Sequence, residues 1–256
     1  MSISSEKNLS ESQDEWVRVW RRKGHGAKSR TQLRSGSTQP ASASSTPTPS
    51  PPSLTLEQVK KDHERFAGQW KSSSACVRLQ QILSSNEPGV QVEKAICFGL
   101  GTFDPPDGSW DVKRKAHVQV AAFLAIVEHV GLQSDKPISC FFQDPILNAV
   151  DREFIESLGH QVVESPGGFE LVDTSTLAFG VHLYRDIYSQ VIAAHTPAMF
   201  VGTPYDVWED FHGTEKLNWG RMKELDQQSS KSKFPENDFE TAFSSTSIHW
   251  ARKEET

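Results

Sequence analysis

Ala95-Ile96-Cys97-Phe98 followed by Gly99-Leu100-Gly101-Thr102 is a short apolar run broken by two glycines. Four consecutive apolar residues bounded by turn residues fit a strand buried on both faces. A helix predicted from about Val112 to Val130 follows, with Val112, Ala116, Val120, Phe123, Leu124 and Val127 on one face and Gly131 expected to terminate it. A second strand, Ile138 to Phe142, ends at Asp144-Pro145. Asn148 to Leu158 then reads as a helix closed by Gly159, ahead of a third strand from Gln161 to Glu164. A strand at Thr176 to Phe179, a helix from Leu183 to Ala194 and a strand at Ala198 to Val201 continue the alternation. Strands that alternate with helices predict a mostly parallel sheet with helices on both faces, an α/β, Rossmann-like three-layer domain over residues 92–206.

Upstream, Thr55 opens a Thr-x-x-Gln capping box with Gln58, and Leu56, Val59, His63, Phe66 and Trp70 recur at helical spacing. Residues 54–91 therefore read as a helical lead-in, with a second short helix around Val77 to Leu83. Residues 1–53 read as a disordered tail, because a Ser/Thr/Pro tract ending near Pro52 cannot bury enough apolar surface to offset its ordering entropy. Within that tail, Trp16 to Arg34 carries seven basic residues and no acidic one. It is read either as a solvated basic tail or as a nuclear-localisation or nucleic-acid element with Trp16 and Trp20 as stacking groups. Residues 207–256 form an extension in which Trp208, Phe211, Trp219, Phe239, Phe243 and Trp250 are expected to pack back on the core. The polar stretch Gln227 to Lys233 is expected to be mobile.

Bulk composition narrows the function classes. A net charge of −6 over 256 residues argues against a globally basic nucleic-acid binder. The amino-terminal sequence has no apolar core of a signal peptide, and the longest apolar run, Val120 to Val127, is less than half of the roughly 18 residues a bilayer span needs. Cys76, Cys97 and Cys140 show no C-x-x-C spacing. These features predict a protein of the cytoplasm or nucleus with reduced thiols and no membrane association.

In open parallel sheets, ligands bind beyond the carboxyl ends of the strands. The candidate cofactor-binding residues are accordingly Gly99, Gly101, Thr102, Gln119, Asp144 and Gly202, and the candidate catalytic residue is His182. Gly99 and Gly101 give G-x-G without the third glycine of a dinucleotide fingerprint, so phosphate contact and a plain tight turn both stand. Asp144 reads either as a ribose acceptor or as a cap in an Asp-Pro turn. His182, just after an apolar strand, reads as an acid, base or ligand, or as a hydrogen-bonded structural histidine. Gln119 is expected to face the site and His117 to be exposed. No metal site is assigned, since no second His or Cys lies at helical spacing from His182. There is no G-x-S-x-G elbow, Walker loop or H-E-x-x-H motif, and no cofactor is identified.

The ordered set Cys97-Phe98-Gly99-Leu100-Gly101, Gln119, Asp144-Pro145, Leu158-Gly159, His182 with Leu183-Tyr184, and Gly202 resembles the Sensitivity to Red Light Reduced family, in its fungal type. Glu15-Trp16-Val17 leading into Arg21-Arg22-Lys23 looks like the family's amino-terminal segment, and Ala242 to Trp250 like its carboxyl-terminal one. Two departures stand out. Val181-His182-Leu183 replaces the family's Pro-His-Cys, and Gly202-Thr203-Pro204-Tyr205 its Gly-Asn-Ser-Phe. The resemblance implies a regulatory protein associated with light and circadian signalling or with tetrapyrrole and haem metabolism. Its expected partners are unidentified proteins or a small ligand. An alternative is a nucleotide-dependent or S-adenosylmethionine-dependent enzyme with Gly99 and Gly101 near the cofactor, Asp144 near its ribose and His182 at the reaction centre. A third reading makes His182 or another of the nine histidines an axial haem ligand, without an attachment motif to support it.

Overall fold

The structure is a computed structural model that describes residues 54–132, 134, 136–209 and 218–252. The expectations for residues 1–53, including Trp16, Trp20 and the basic stretch, and for Phe211 lie outside the described residues.

Two helices lead in, α1 (Leu56–Lys71) and α2 (Ser74–Ser84). The predicted capping box is present, with Thr55 and Gln58 each satisfying the other's backbone amide. Then come β1 (Lys94–Phe98), α3 (Trp110–Gly131), β2 (Ser139–Gln143), α4 (Ala149–Ser157), β3 (Gln161–Val162), α5 (Gly167–Glu170), β4 (Thr176–Gly180), α6 (Arg185–Val191) and β5 (Met199–Gly202). The chain continues through α7 (Tyr205–Glu209), α8 (Trp219–Gln228), β6 (Ser229–Lys233), a 3-10 turn (Asn237–Phe239), α9 (Glu240–Phe243) and β7 (Ser247–Ala251).

The seven strands among the described residues join one sheet in the order β3-β2-β1-β4-β5-β7-β6. The first five in sequence run parallel, and β7 and β6 complete the sheet antiparallel. The α/β fold with a mostly parallel sheet is thus present, and the sheet does not stop at Asp206. Successive strands are added on one side from β1 to β3 and on the other from β4 to β5. The order therefore reverses between β1 and β4, and the gap beyond their carboxyl ends is the topological switch point.

Alternation along the strands divides the interior. Ala95, Cys97, Leu177, Phe179, Met199, Val201, Ile248 and Trp250 turn to one face and pack with Val59, Phe66, Leu79, Phe123 and Phe154 of α1 to α4. Ile96, Phe98 and Phe200 turn the other way. There Phe98 stacks on Phe169 of α5 with ring centroids 5.3 Å apart, and Phe200 meets Tyr188 of α6 edge-on at 5.1 Å. Trp70 of the lead-in lies 5.3 Å from both Phe239 and Phe243, and Phe243 stacks on Phe234 at 4.4 Å. The segments flanking the central domain in sequence therefore share one aromatic cluster.

Four local expectations are corrected. Gly131 is the last residue of α3, and the helix ends at Leu132 in a right-handed cap, not at a left-handed glycine. The helix expected over 183–194 contracts to Arg185–Val191, because His182 is left-handed (φ 58°) and Tyr184 is extended (φ −65°, ψ 153°). The stretch expected to be mobile ends α8 and forms β6, pairing Ser229 to Lys233 with Ala251 to Ser247. His117, expected to be exposed, is completely buried. Gly159 is left-handed (φ 86°) directly after α4, as a terminating glycine should be.

Candidate functional site

The loop after β1 and the loop after β2 are tied together. The Gly99 N–H donates to the Gln143 carbonyl at 3.1 Å, continuing the parallel ladder by one residue. The Gly101 N–H donates to Asp144 Oδ2 at 2.7 Å, and Asp144 Oδ1 accepts from the Ile146 N–H at 3.0 Å. Both oxygens of Asp144 are thus committed to backbone, the arrangement of the turn reading of this residue. Burial raises the Asp144 pKa, an effect opposed by these two bonds and assisted by the neighbouring Asp151 charge.

Thr102 is held one step further along. Its Oγ1 donates to Asp151 Oδ2 at 2.6 Å, and the Phe103 N–H donates to Asp151 Oδ1 at 3.0 Å. Asp151 also closes a reciprocal box with Asn148 at the start of α4, accepting from the Asn148 N–H while its own N–H donates to Asn148 Oδ1, both at 3.0 Å. Its carboxylate is fully buried and accepts three hydrogen bonds. Burial raises its pKa, opposed mainly by the Thr102 bond. Asp151 escaped the sequence reading, although the Asn148-x-x-Asp151 spacing carried the signal of a capping box.

Behind this clamp, Phe103 lies 4.7 Å from the His117 ring, which stacks on Phe66 at 5.4 Å and approaches His63 at 5.5 Å. Neither ring nitrogen of His117 has a partner among the described residues, nor has Nδ1 of His63. Desolvation, with the His63, Lys113 and Arg65 charges, lowers the His117 pKa to about 3. Desolvation, with Lys71, lowers that of His63 to about 4. Both rings are neutral at physiological pH.

Across the switch point the polar groups are less committed. His182 follows β4, is exposed, and adopts φ 58°, a conformation few residues other than glycine occupy. Its Nε2 lies 2.9 Å from the Ser244 carbonyl and 3.3 Å from Ser244 Oγ. A carbonyl only accepts, so Nε2 carries the hydrogen and Nδ1 of the neutral ring keeps a free lone pair. Crowding by the protein lowers the His182 pKa, opposed by the Ser244 bond and assisted by Lys115. Lys115 is in turn paired with Asp111 at 2.9 Å. Thr203, directly after β5, is only 7% exposed, and its side chain makes no hydrogen bond among the described residues.

Gln119 is committed to a backbone partner. Its Nε2 donates to the Ala242 carbonyl at 3.0 Å, tying α3 to α9. Gly202 is constrained by packing, since a Cβ there would collide with the Phe200 ring and lie 3.0 Å from the Gly180 carbonyl. A Cβ on Gly99 or on Gly180 would strike the Leu183 side chain. Leu183 therefore fills the crevice between the ends of β1 and β4, and both glycines are needed to admit it.

The structure thus brings Gly99, Gly101, Thr102, Asp144, His182 and Gly202 to the carboxyl edge of the parallel strands, with the Gln119 amide committed to the Ala242 carbonyl. Chemically, the edge offers a neutral imidazole base at His182 and a free hydroxyl at Thr203. Among the described residues no group of three or more His, Cys, Asp or Glu side chains is arranged to hold a metal ion, and no helix is long and apolar enough to cross a membrane. Comparison with curated proteins and with solved structures gives no match. The model of the SRR1 domain matches residues 78–250, from α2 through most of β7, and so takes in the whole sheet edge just described. On that match, which spans most of its length, the chain belongs to the SRR1 domain family.

Proposed function

We propose that this protein is an intracellular regulatory member of the SRR1 family, of the fungal type, that binds a small polar ligand at the carboxyl ends of the strands, beside β4 and β5. One observation carries the reading. His182 Nδ1 and the Thr203 hydroxyl stand uncommitted at the ends of adjacent strands, whereas the polar groups of the facing loops are used internally. Unspent donors and acceptors beside a rigid scaffold are what a ligand needs for orientation. Tetrapyrrole and haem metabolism, or circadian and light signalling, are the settings the family association supplies, in the cytoplasm or nucleus. Regulation would proceed through unidentified protein partners. The basic segment near the amino terminus is the one element suited to nucleic acid or nuclear import.

The alternative, an enzyme dependent on a nucleotide or on S-adenosylmethionine, is favoured by the neutral base at His182. It is weakened at Asp144, because ribose hydroxyls would have to displace the Gly101 or Ile146 amide from a carboxylate already satisfied.

The test is a thermal-shift screen with adenine nucleotides, nicotinamide dinucleotides, S-adenosylmethionine and haemin on the wild type, His182→Ala and Thr203→Val. A stabilising shift that both variants abolish, with their own melting temperatures near that of the wild type, is the expected result. A shift that persists undiminished in both variants would remove the ligand from this edge. Turnover lost in His182→Ala but retained in Thr203→Val would move the reading to the enzyme.

A further inference from the structure

The last strand in the sheet order has an open side. Among the described residues β6 pairs only with β7, so one row of its backbone groups has no strand partner. Which groups these are follows from the register. The Arg252 N–H donates to the Gln228 carbonyl and the Phe234 N–H to the Thr246 carbonyl, both at 2.9 Å. Hydrogen-bonded pairs alternate in an antiparallel ladder, so Ser230 and Ser232 also bond inward to β7. The N–H and C=O groups of Ser229, Lys231 and Lys233 therefore point away from β7; Ser229 is buried, so the open part of the edge is the one at Lys231 and Lys233.

This edge runs into a groove of about 400 Å³ between α2 and the segment after β6. Ile82, Phe234 and Pro235 give it an apolar floor, and Ser232 and Lys233 belong to both the edge and the groove. Its charges are unequal. Lys233 is paired with Glu236. Arg78, exposed at the groove wall, donates only to the neutral Gln81 side chain at 3.2 Å and has no carboxylate partner among the described residues. The groove therefore carries an uncompensated guanidinium beside an unfilled row of strand donors and acceptors.

We propose that β6 and this groove form a docking surface for an extended acidic peptide of a partner protein, added as an eighth strand. Backbone pairing with Lys231 and Lys233 supplies the strand geometry. Alternate side chains of the peptide then reach the Ile82, Phe234 and Pro235 floor, with a carboxylate on Arg78. A second copy of this chain is the poorer occupant. Antiparallel pairing of β6 with itself about its central residue sets Lys231 directly opposite Lys231 of the other copy, a like-charge cross-strand pair. The surface is remote in sequence and in the sheet order from the switch point, so it stands whether or not a ligand binds there.

The experiment uses a fluorescein-labelled nine-residue peptide alternating Val and Glu, its counterpart with Lys in place of Glu, and the full-length protein in an anisotropy titration. The expected result is saturable binding of the Glu peptide alone. That binding should weaken roughly tenfold in Arg78→Glu, through loss and reversal of a charge pair, and by a similar factor in Lys233→Pro. Lys233→Pro removes an outward N–H and leaves the β7 ladder intact, so its melting temperature serves as the folding control. No binding of the Glu peptide, equal binding of both peptides, or wild-type affinity in a folded Lys233→Pro would overturn the proposal. So would a dimer seen by sedimentation that Lys233→Pro dissolves, since it would assign the edge to a second copy.

Discussion

The two loop clusters at the carboxyl edge of the sheet are built on opposite plans. On the side of β1 and β2, Asp144 and Asp151 are buried and both oxygens of each carboxylate accept from backbone or hydroxyl groups of the two loops. On the side of β4 and β5, His182 sits in a left-handed conformation with one nitrogen free, and Thr203 has no partner among the described residues. The first cluster spends its polarity on holding shape, and the second withholds it. A sequence motif at a strand end does not distinguish these plans, because Asp and His serve both, and only the count of satisfied atoms separates them.

The contrast is most exposed by acid. His63 and His117 lie beneath the Asp151 clamp with folded pKa values of about 4 and about 3, against 6.5 in the unfolded chain. Between those values only the unfolded chain takes up the proton, so stability present above pH 6.5 is lost as the pH falls. From pH 7 to pH 5 the loss is about 2 kcal/mol per histidine, or roughly 4 kcal/mol for the pair. Chemical denaturation at the two pH values should show it, and His117→Phe should flatten the slope by about half. A slope unchanged by that substitution would mean that the histidine is not buried neutral. Asp144 and Asp151, whose folded pKa values are raised, act with the opposite sign in acid, which is why the variant and not the wild-type curve isolates the histidine contribution.

Next in size is Asp151→Ala, which leaves the Thr102 hydroxyl and the Phe103 and Asn148 amides without their acceptor. A cost of about 3 kcal/mol is expected, read from denaturant midpoints. A cost under about 1 kcal/mol would show that water replaces the carboxylate and that this cluster is not the rigid one. The smallest effect belongs to the other side. His182→Gly relieves a left-handed backbone worth roughly 1 kcal/mol and gives up a hydrogen bond of similar worth, so stability should change by less than about 1 kcal/mol. A large loss would place His182 among the structural groups and erase the contrast.

How much of this was legible depended on whether the signal was local. The Thr55 box, the glycine after α4 and the five parallel strands were readable because capping chemistry and apolar runs lie within a few residues of one another. β6 was not, since Ser-Ser-Lys-Ser-Lys at a sheet edge has no apolar face and looks like a solvated linker. The glycine, Asp144, His182 and Gly202 positions were proposed from the rule that ligands gather at strand ends, and the structure places them at those ends. The sequence could not reveal that Gln119 turns to Ala242, 123 residues away, or that Leu183 occupies the crevice. Those are contacts of tertiary packing, with no counterpart in spacing.

The order of the strands has a consequence for synthesis. β7 comes last of the seven along the chain yet lies between β5 and β6, which touch no other strand on that side of the sheet. As the polypeptide emerges from the ribosome, β6 is made before there is anything for it to pair with, and the half of the sheet around β1 can assemble well before that. The nascent protein therefore passes through a stage with an unclosed flank on β5, which only residues 247–251 can close. A stop codon at or before Ser247 would leave β5 and β6 without the strand between them, and quality control would meet an exposed seam of sheet.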